Sequence, residues 1–436
     1  MATYLLAIAI ALFAAWYVLL HAFRSAVAPA PLWLFAWAIL YLCAVIFGAD
    51  YNYTIEGVTI LGLIAFAFPF GCLLATSVSL PSAKYALDTS GLNKVSPFIQ
   101  LFCGAAGLVG AHSLSANFGG SLFHFESIVA LTVAAKRASV LLESGQETLP
   151  VSASIAFAFL QMAFLLNGVR MASRNTSLVL NVGLLGLLFA ITTLWTVATT
   201  SRGYFLVGIL WFLGSYIATK ILIGEESNFI RPKVVLLTAG TAIALILVIV
   251  VFQSFRMGDY RLELFQRALA HMRPWIAGYI TGFSVWYRDV WSSGADQGGS
   301  IFEGLFKAVG IVQQQSFNRM ATQLDIGDGD STNALTVAKM FIADFGLIGG
   351  ILFAGIVGYA SQLVYQACRQ GWAIGWLLQP GVVVTILWSP NFWFMGYGSR
   401  VLALILFVGL GALIVSRPVL GGSSGISPQP LQTKQS

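Results

Sequence analysis

Apolar runs of about 20 residues recur along almost the whole sequence. That length is what an α-helix needs to cross the roughly 30 Å hydrocarbon core of a bilayer. Each such run must be helical in lipid, because an unpaired backbone amide there costs several kcal/mol. We therefore predict eleven transmembrane helices, at about 4–23, 31–48, 57–77, 97–116, 151–170, 178–198, 204–222, 234–253, 337–365, 373–390 and 400–416.

Composition supports an all-α integral membrane protein. Of the 436 residues, 58% are hydrophobic and 9% are charged, whereas about a quarter of an ordinary soluble chain is charged. The net charge of +6 favours anionic lipid headgroups and phosphorylated ligands. Nucleic acid is excluded as a partner, because the chain has no soluble basic domain to bind it.

Lys and Arg are unevenly distributed among the predicted loops, and this bias sets the orientation of a membrane protein. If the amino terminus lies outside, eleven basic residues fall inside: Arg24, Lys84, Lys94, Arg170, Arg174, Lys220, Arg231, Lys233, Arg369, Arg417 and Lys434. The short outer connections then hold Arg202 and Arg400. The other basic residues fall in longer outer loops, which cross largely regardless of charge. We expect the first apolar run to be retained as a helix.

These predictions divide the chain into four parts. Residues 1–253 would form eight transmembrane helices with an amphipathic outer segment at 117–150, and residues 337–416 would form three more. The large outer loop, 254–336, is rich in aromatic and apolar residues, so we expect short helices folded over the bundle, the first ended by Pro274. The tail, 417–436, lacks apolar anchors and is predicted to be disordered and cytoplasmic.

Arginines at the outer boundary are the strongest candidate functional residues. Arg202 follows three hydroxyl residues in a tight turn, and four more arginines open the long loop: Arg256, Arg261, Arg267 and Arg273. The planar guanidinium binds a pyrophosphate through paired hydrogen bonds and stays charged when buried. We assign the first four to a catalytic clamp, and Arg273 and Arg400 to substrate binding. The alternative is that boundary arginines reach lipid headgroups.

The segment STNALTVAKMFIADFGLIGG, at 331–350, places charge in a predicted span. Asp344 would lie half a turn to a turn inside the ninth span, where a charge costs about 2.5 to 3.5 kcal/mol near the bilayer centre. With Asn333, either Thr336 or Val337, and Met340, it would share one helix face, which we interpret as a wet substrate-binding face. The alternative is a polar contact between packed helices. Lys339 is expected to extend outward.

Other outer residues have a functional and a structural interpretation. His271 would share a helix face with Arg267 and could act as a general base for a sugar hydroxyl, or it could be a surface histidine without a role. Asp328 and Asp330 form a DxD pattern, which we interpret as an acidic turn rather than a metal site, with Ser331 or Thr332 capping the next helix. Five aromatic residues could stack on sugars or form an interfacial belt: Tyr279, Trp286, Tyr287, Trp291 and Trp393. Tyr279 is assigned to substrate binding.

These residues together resemble the O-antigen polymerase family, the Wzy-type oligosaccharide repeat unit polymerases of Gram-negative inner membranes. The resemblance rests on the TTSRG turn, FRMGDYR and YITGF in the long loop, STNALTVAKMFIADFGLIGG, and ESGQETLP, and it spans roughly residues 115 to 360. The arginine and spaced glycine of the family are matched by Arg267 and Gly278.

The resemblance implies a GT-C-like fold and a glycosyltransferase that needs neither metal nor cofactor. Its substrates would be oligosaccharides linked to undecaprenyl pyrophosphate, and its partners the lipid bilayer and a chain-length regulator protein. The amino terminus would be periplasmic. Two alternatives stay open. One is an O-antigen ligase, which shares the plan but uses a lipid A core acceptor. The other is a flippase or transporter, for which polar and charged residues at mid-depth in several spans and broken helices would be expected.

Overall fold

The computed structural model describes residues 1–81, 92, 95–117, 150–173, 176–199, 203–226, 229, 250, 262–294, 301–302, 323–333, 335–391 and 393–415. The helices are α1 Ala2–Phe23, α2 Pro29–Phe47, α3 Ile55–Thr76, α4 Pro97–Asn117, α5 Val151–Ala172, α6 Leu178–Thr199, α7 Gly203–Leu222, α8 Leu262–Val285, α9 Val337–Arg369, α10 Ala373–Trp388 and α11 Gly398–Val415. A π-helical segment, Trp286–Trp291, extends α8. Two short strands are β1 Leu324–Gly327 and β2 Asp330–Thr332.

The prediction of an all-α membrane protein is confirmed. Eight of the described helices, α1 to α7 and α9, are long and apolar enough to cross a membrane, and α10 and α11 are shorter apolar helices. Each predicted span except 234–253 coincides with one of these ten helices. Nearly all of that span, nearly all of the outer segment at 117–150 and the tail lie outside the described residues.

Two large aromatic side chains of α2 satisfy their polar atoms by hydrogen bonding to α3. Trp33 of α2 stacks on Phe68 of α3 with ring centroids 4.1 Å apart, and its indole Nε1 donates to the Ala65 carbonyl at 3.0 Å. The Tyr41 hydroxyl donates to the Val58 carbonyl at 2.8 Å. A buried hydroxyl or indole N–H without an acceptor would destabilise the fold, so these bonds let aromatic residues fill the core.

The helix termini define two ends of the bundle. At one, called here the hairpin end, α2 and α10 end and α9 begins; the Val337 amide there donates to the Ser389 carbonyl at 2.9 Å. At the opposite end, Glu226 accepts hydrogen bonds from Tyr365 at 2.5 Å and Ser25 at 3.3 Å. Its other carboxylate oxygen lies 2.8 Å from Nε of Arg369. The charge of Glu226 is therefore fully paired.

Strands β1 and β2 form an antiparallel hairpin with Leu324 opposite Thr332. Its turn holds three successive residues at positive φ, Gly327 at 92°, Asp328 at 57° and Gly329 at 72°. Glycine adopts this region without steric cost and aspartate tolerates it. The DIGDGDST segment thus forms the predicted turn. Ser331 and Thr332 lie in β2, however, so neither caps the next helix as expected.

Helix α8 does not end where its proline predicted. Pro274 lies inside α8, which continues to Val285. An interior proline removes one backbone hydrogen bond and strains the preceding turn, but here tertiary contacts outweigh that cost. The hairpin packs on α8 at Gly278, where an added Cβ would lie 3.2 Å from Ile326 and 3.4 Å from Thr332.

A close crossing among the described helices joins α3 and α9. A Cβ added at Gly71 would lie 1.9 Å from the Gly355 carbonyl oxygen, and one added at Gly358 would lie 2.0 Å from the Phe68 carbonyl oxygen. The Cys72 thiol donates to the Gly358 carbonyl at 3.2 Å. Small residues permit such backbone contact, which drives helix association in lipid through van der Waals packing.

Helix α9 is interrupted at Gly346, whose φ of 72° and ψ of 175° are not helical. The part after this kink, 347–369, is about 35 Å long at roughly 1.5 Å per residue, enough by itself to cross the bilayer. The part before it, 337–345, is therefore a separate short helix at the hairpin end. Asp344 belongs to this short helix.

We predict that Gly358→Ala lowers the melting temperature of the detergent-purified protein, because its Cβ would overlap the backbone of α3. Overpacking of this kind costs about 1 to 3 kcal/mol. Gly409→Ala in α11 is the matched control, since nothing lies within 4 Å of the added Cβ. Equal melting temperatures for Gly358→Ala and wild type would contradict the crossing.

Candidate functional site

The predicted catalytic residues are only partly described. Arg202, Arg256 and Arg261 lie outside the described residues. Arg267 and His271 fall within α8, one turn apart, but their side chains are outside the description. Their helical spacing is confirmed, and their proposed roles in the clamp and in base catalysis stay predictions.

Arg273, also on α8, is bound on every side by the protein. Its Nε donates to the Phe47 carbonyl at 2.6 Å, and its two terminal nitrogens donate to Asp328 at 2.5 Å and to Asp50 at 3.2 Å. The guanidinium also lies over the Tyr51 ring, 4.8 Å from its centroid. Arg273 thus connects α8 to the α2–α3 loop and to the hairpin.

A tyrosine extends this network to the second aspartate of the DxD pattern. The Tyr51 hydroxyl donates to Asp330 at 2.7 Å, and burial raises the pKa of Tyr51, with the hydrogen bond to Asp330 adding to the shift. The hydrogen bond to Asp328 raises the pKa of Arg273. At neutral pH the phenol therefore stays protonated and the guanidinium stays charged, so the network holds both aspartates in structural contacts.

Asp344 anchors a residue of the long loop. Its carboxylate accepts a hydrogen bond of 2.8 Å from the amide of Ile301, and Ile301 is completely buried. Asp344 was expected half a turn to one turn inside the helix. It lies seven residues after the first residue of α9, which is about two turns. It is half-buried and precedes the kink at Gly346, so it lies at the hairpin end of the bundle.

The predicted wet face of α9 is mostly core. Val337 and Met340 are buried in an apolar cluster of α2, α3 and α8 side chains. Thr336 is completely buried at the N-cap position, and its hydroxyl has no hydrogen-bond partner. Asn333 precedes the helix and is half-buried. The face was misplaced because periodicity identifies which residues share a side of a helix, but not what that side contacts.

Lys339 was expected to extend outward, and this expectation is wrong. Only 8% of its surface is exposed, and its Nζ lies over the Trp286 ring, 5.7 Å from the centroid. The electron-rich face of an indole stabilises a nearby ammonium. The short helix before the kink directs Lys339 toward α8 instead of toward the lipid.

The aromatic residues considered for sugar stacking are largely structural. Trp286 is buried, and Trp393 is buried against Phe341 with ring centroids 5.4 Å apart. Tyr279 is half-buried and packs against the same apolar cluster. Tyr287 and Trp291 pack there as well, so only their exposed edges could meet a substrate.

Arg400 is buried at the start of α11, with 6% of its surface exposed. Its guanidinium carbon lies 3.9 Å from the centroid of the Tyr397 ring and 4.5 Å from that of the Trp388 ring. The Tyr204 phenol, at the start of α7, is within electrostatic range. Arg202, which precedes Tyr204 by two residues in the sequence, lies outside the described residues.

Trp388, Tyr397 and Tyr204 were missed as site residues. Each lies next to a predicted span boundary, where tyrosine and tryptophan are ordinary interfacial residues. The only sequence signal was the arginine in SPNFWFMGYGSR, with aromatic residues on its amino-terminal side. Which of them contact the guanidinium depends on how α10 and α11 meet.

The described residues contain no cluster of three or more His, Cys, Asp or Glu side chains that could hold a metal ion. Comparison with known proteins gives no assignment: no family model, no curated protein and no solved structure matches this chain. The function must therefore be argued from the sequence and the geometry.

We predict that Arg273→Met loosens the hairpin and α8 from the bundle. The lost hydrogen bonds are half-exposed, so the expected destabilisation is about 1 to 2 kcal/mol. The measurement is the melting temperature together with the rate of limited proteolysis at the hairpin. Arg288→Met is the matched control, because Arg288 is exposed and bonds only its neighbour Asp289. Proteolysis at the wild-type rate would refute this tethering role.

Proposed function

We propose that this protein is a glycosyltransferase that polymerises oligosaccharide repeat units carried on undecaprenyl pyrophosphate. A hydroxyl of the acceptor sugar attacks the anomeric carbon of the donor, and the bond from that carbon to pyrophosphate breaks. The hydroxyl proton passes to a base, for which His271 is our candidate. Arginines stabilise the negative charge that develops on the leaving pyrophosphate. The reaction takes place at the hairpin end, which we assign to the periplasmic side of a bacterial inner membrane.

The observation that carries this proposal is the location of charge in the described spans. Among these helices, charged side chains occur only near the two ends of the bundle. Asp344, the apparent exception in the sequence, precedes the kink of α9. Charge confined to the ends favours chemistry at one membrane face.

A transporter of charged lipid-linked sugars would require a different distribution. Polar and charged groups at mid-depth in several spans, and helices broken there, would be expected along its substrate path. The described helices lack mid-depth charge, and the break in α9 lies at its hairpin end. The ligase alternative shares the single-face chemistry, so it must be separated from a polymerase by genetics.

The test is the lipopolysaccharide ladder of a deletion strain. Loss of a polymerase leaves bands with a single repeat unit, because attachment still occurs. Complete absence of attached O-antigen would instead indicate a ligase or a flippase, and an unchanged ladder would exclude all three.

Complementation of this strain tests the arginine clamp. We expect Arg202→Lys, Arg256→Lys, Arg261→Lys and Arg267→Lys to restore little more than the corresponding alanine variants, because lysine keeps the charge but loses the planar fork. Arg288→Lys, at an exposed position, is the control and should restore the full ladder. The readout is ladder length at matched membrane abundance. Wild-type ladders from all four lysine variants would eliminate the clamp.

We predict that Asp344→Asn folds and inserts but gives shortened ladders. Asparagine keeps an oxygen that can accept the Ile301 hydrogen bond, whereas the negative charge is lost. Asp289→Asn is the control, since that carboxylate is exposed and pairs with the adjacent Arg288. Ladders of full length from Asp344→Asn would leave Asp344 with only the role of anchoring the loop.

A further inference from the structure

Arg400 differs from Arg170 and Glu226, two other buried charged side chains in the described part of the chain. Arg170, with 5% exposure, donates to Asn181 at 2.9 Å and to the Val95 carbonyl. Glu226 accepts from three donors. Arg400, in contrast, forms no ion pair with a described carboxylate, and its Nη1 has no hydrogen-bond partner. Among the described residues, the groups that lie against its guanidinium are the rings of Trp388 and Tyr397.

The position of Arg400 in its helix adds to this imbalance. It is the third residue of α11, which begins at Gly398. The first turn of a helix carries the positive end of the backbone dipole, where an anion is stabilised and a cation is not. A buried cation without a counter-charge costs several kcal/mol. Both effects would be relieved by an anion bound beside the guanidinium.

A second donor lies next to Arg400. The Trp388 ring on which the guanidinium stacks is 5% exposed, and its indole Nε1 also has no hydrogen-bond partner. An indole N–H can only donate. The two side chains therefore present N–H donors without acceptors, from the end of α10 and the start of α11.

We propose that Arg400 and Trp388 form a phosphoryl-binding subsite for a prenyl pyrophosphate substrate. This rests on the proposed function and adds a binding site that is separate from the arginines of the long loop. A phosphoryl group has several acceptor oxygens and a charge that matches one guanidinium. The guanidinium lies over the rings of Trp388 and Tyr397, so its position is restricted before the substrate arrives.

Arg273 cannot serve this purpose in the same way. All three of its guanidinium nitrogens donate to protein oxygens, so a phosphoryl group would have to displace them. Arg273 and Arg400 were both predicted to bind substrate, but their roles differ. Arg273 fixes the hairpin, and Arg400 is available to an anion.

The test is the affinity of the purified full-length protein in detergent for three probes, measured by isothermal titration calorimetry. The probes are farnesyl pyrophosphate, inorganic pyrophosphate and phosphatidylglycerol. We expect farnesyl pyrophosphate to bind wild type, and Arg400→Met to weaken that binding by at least about tenfold. Arg400→Lys should fall between the two. Arg288→Met is the matched control at an exposed, paired arginine and should bind as wild type.

The probes separate the possible sources of the phosphoryl group. Inorganic pyrophosphate should bind more weakly than farnesyl pyrophosphate, with the same dependence on Arg400. Binding of phosphatidylglycerol alone would overturn the proposal and leave Arg400 as a lipid-headgroup contact. Equal affinity of wild type and Arg400→Met for farnesyl pyrophosphate would also overturn it.

Trp388→Phe provides a second, milder test. It replaces the Arg400→Met test if that variant does not fold. Phenylalanine keeps a ring for stacking but removes the N–H donor, so we expect about threefold weaker binding. Unchanged binding of farnesyl pyrophosphate by Trp388→Phe would refute a subsite that includes Trp388.

Failure of the subsite is distinguishable from failure of the proposed function. If the deletion strain shows a single-repeat ladder but binding does not depend on Arg400, only the subsite is rejected. If binding depends on Arg400 but the ladder of the deletion strain is unchanged, only the polymerase function is rejected.

Discussion

The absence of water in the hydrocarbon core is the constraint on which the rest of this structure depends. Backbone groups there must pair within the same helix, and buried side-chain polar atoms must find protein partners. Trp33 and Tyr41 meet this requirement by donating to carbonyls of α3. In the described spans, charged residues are consequently restricted to the ends of the bundle, where networks such as that of Glu226 neutralise them.

The α3–α9 crossing shows how the bundle positions its hairpin end. Glycines bring the two backbones into contact after the kink of α9, which fixes the spanning part of that helix. The kink at Gly346 then redirects the preceding turns, so that Lys339 is buried over Trp286 and Asp344 binds the amide of Ile301. The long loop and the start of α9 are thus tied together at the face where we propose the chemistry occurs.

The arginines illustrate how far a candidate site can be predicted from sequence. Sequence reasoning identified Arg273 and Arg400 as boundary arginines with equal claims to a substrate. In the fold, Arg273 meets two aspartates and a carbonyl, whereas Arg400 meets two aromatic rings and no described carboxylate. The partners come from distant parts of the chain, Asp50 and Asp328 for Arg273. Local spacing contains no information about such contacts.

The sequence by itself determined the membrane-spanning helices, because the length and apolarity of each run are local properties and lipid permits little else. It also determined the hairpin turn, since glycine and aspartate at positive φ are local requirements. Only the tertiary structure decided that α8 continues through Pro274, that Met340 faces the core and that Arg400 pairs with no described carboxylate. Each of these depends on which distant helix packs against the residue, and that is decided by the summed packing and pairing of the whole bundle.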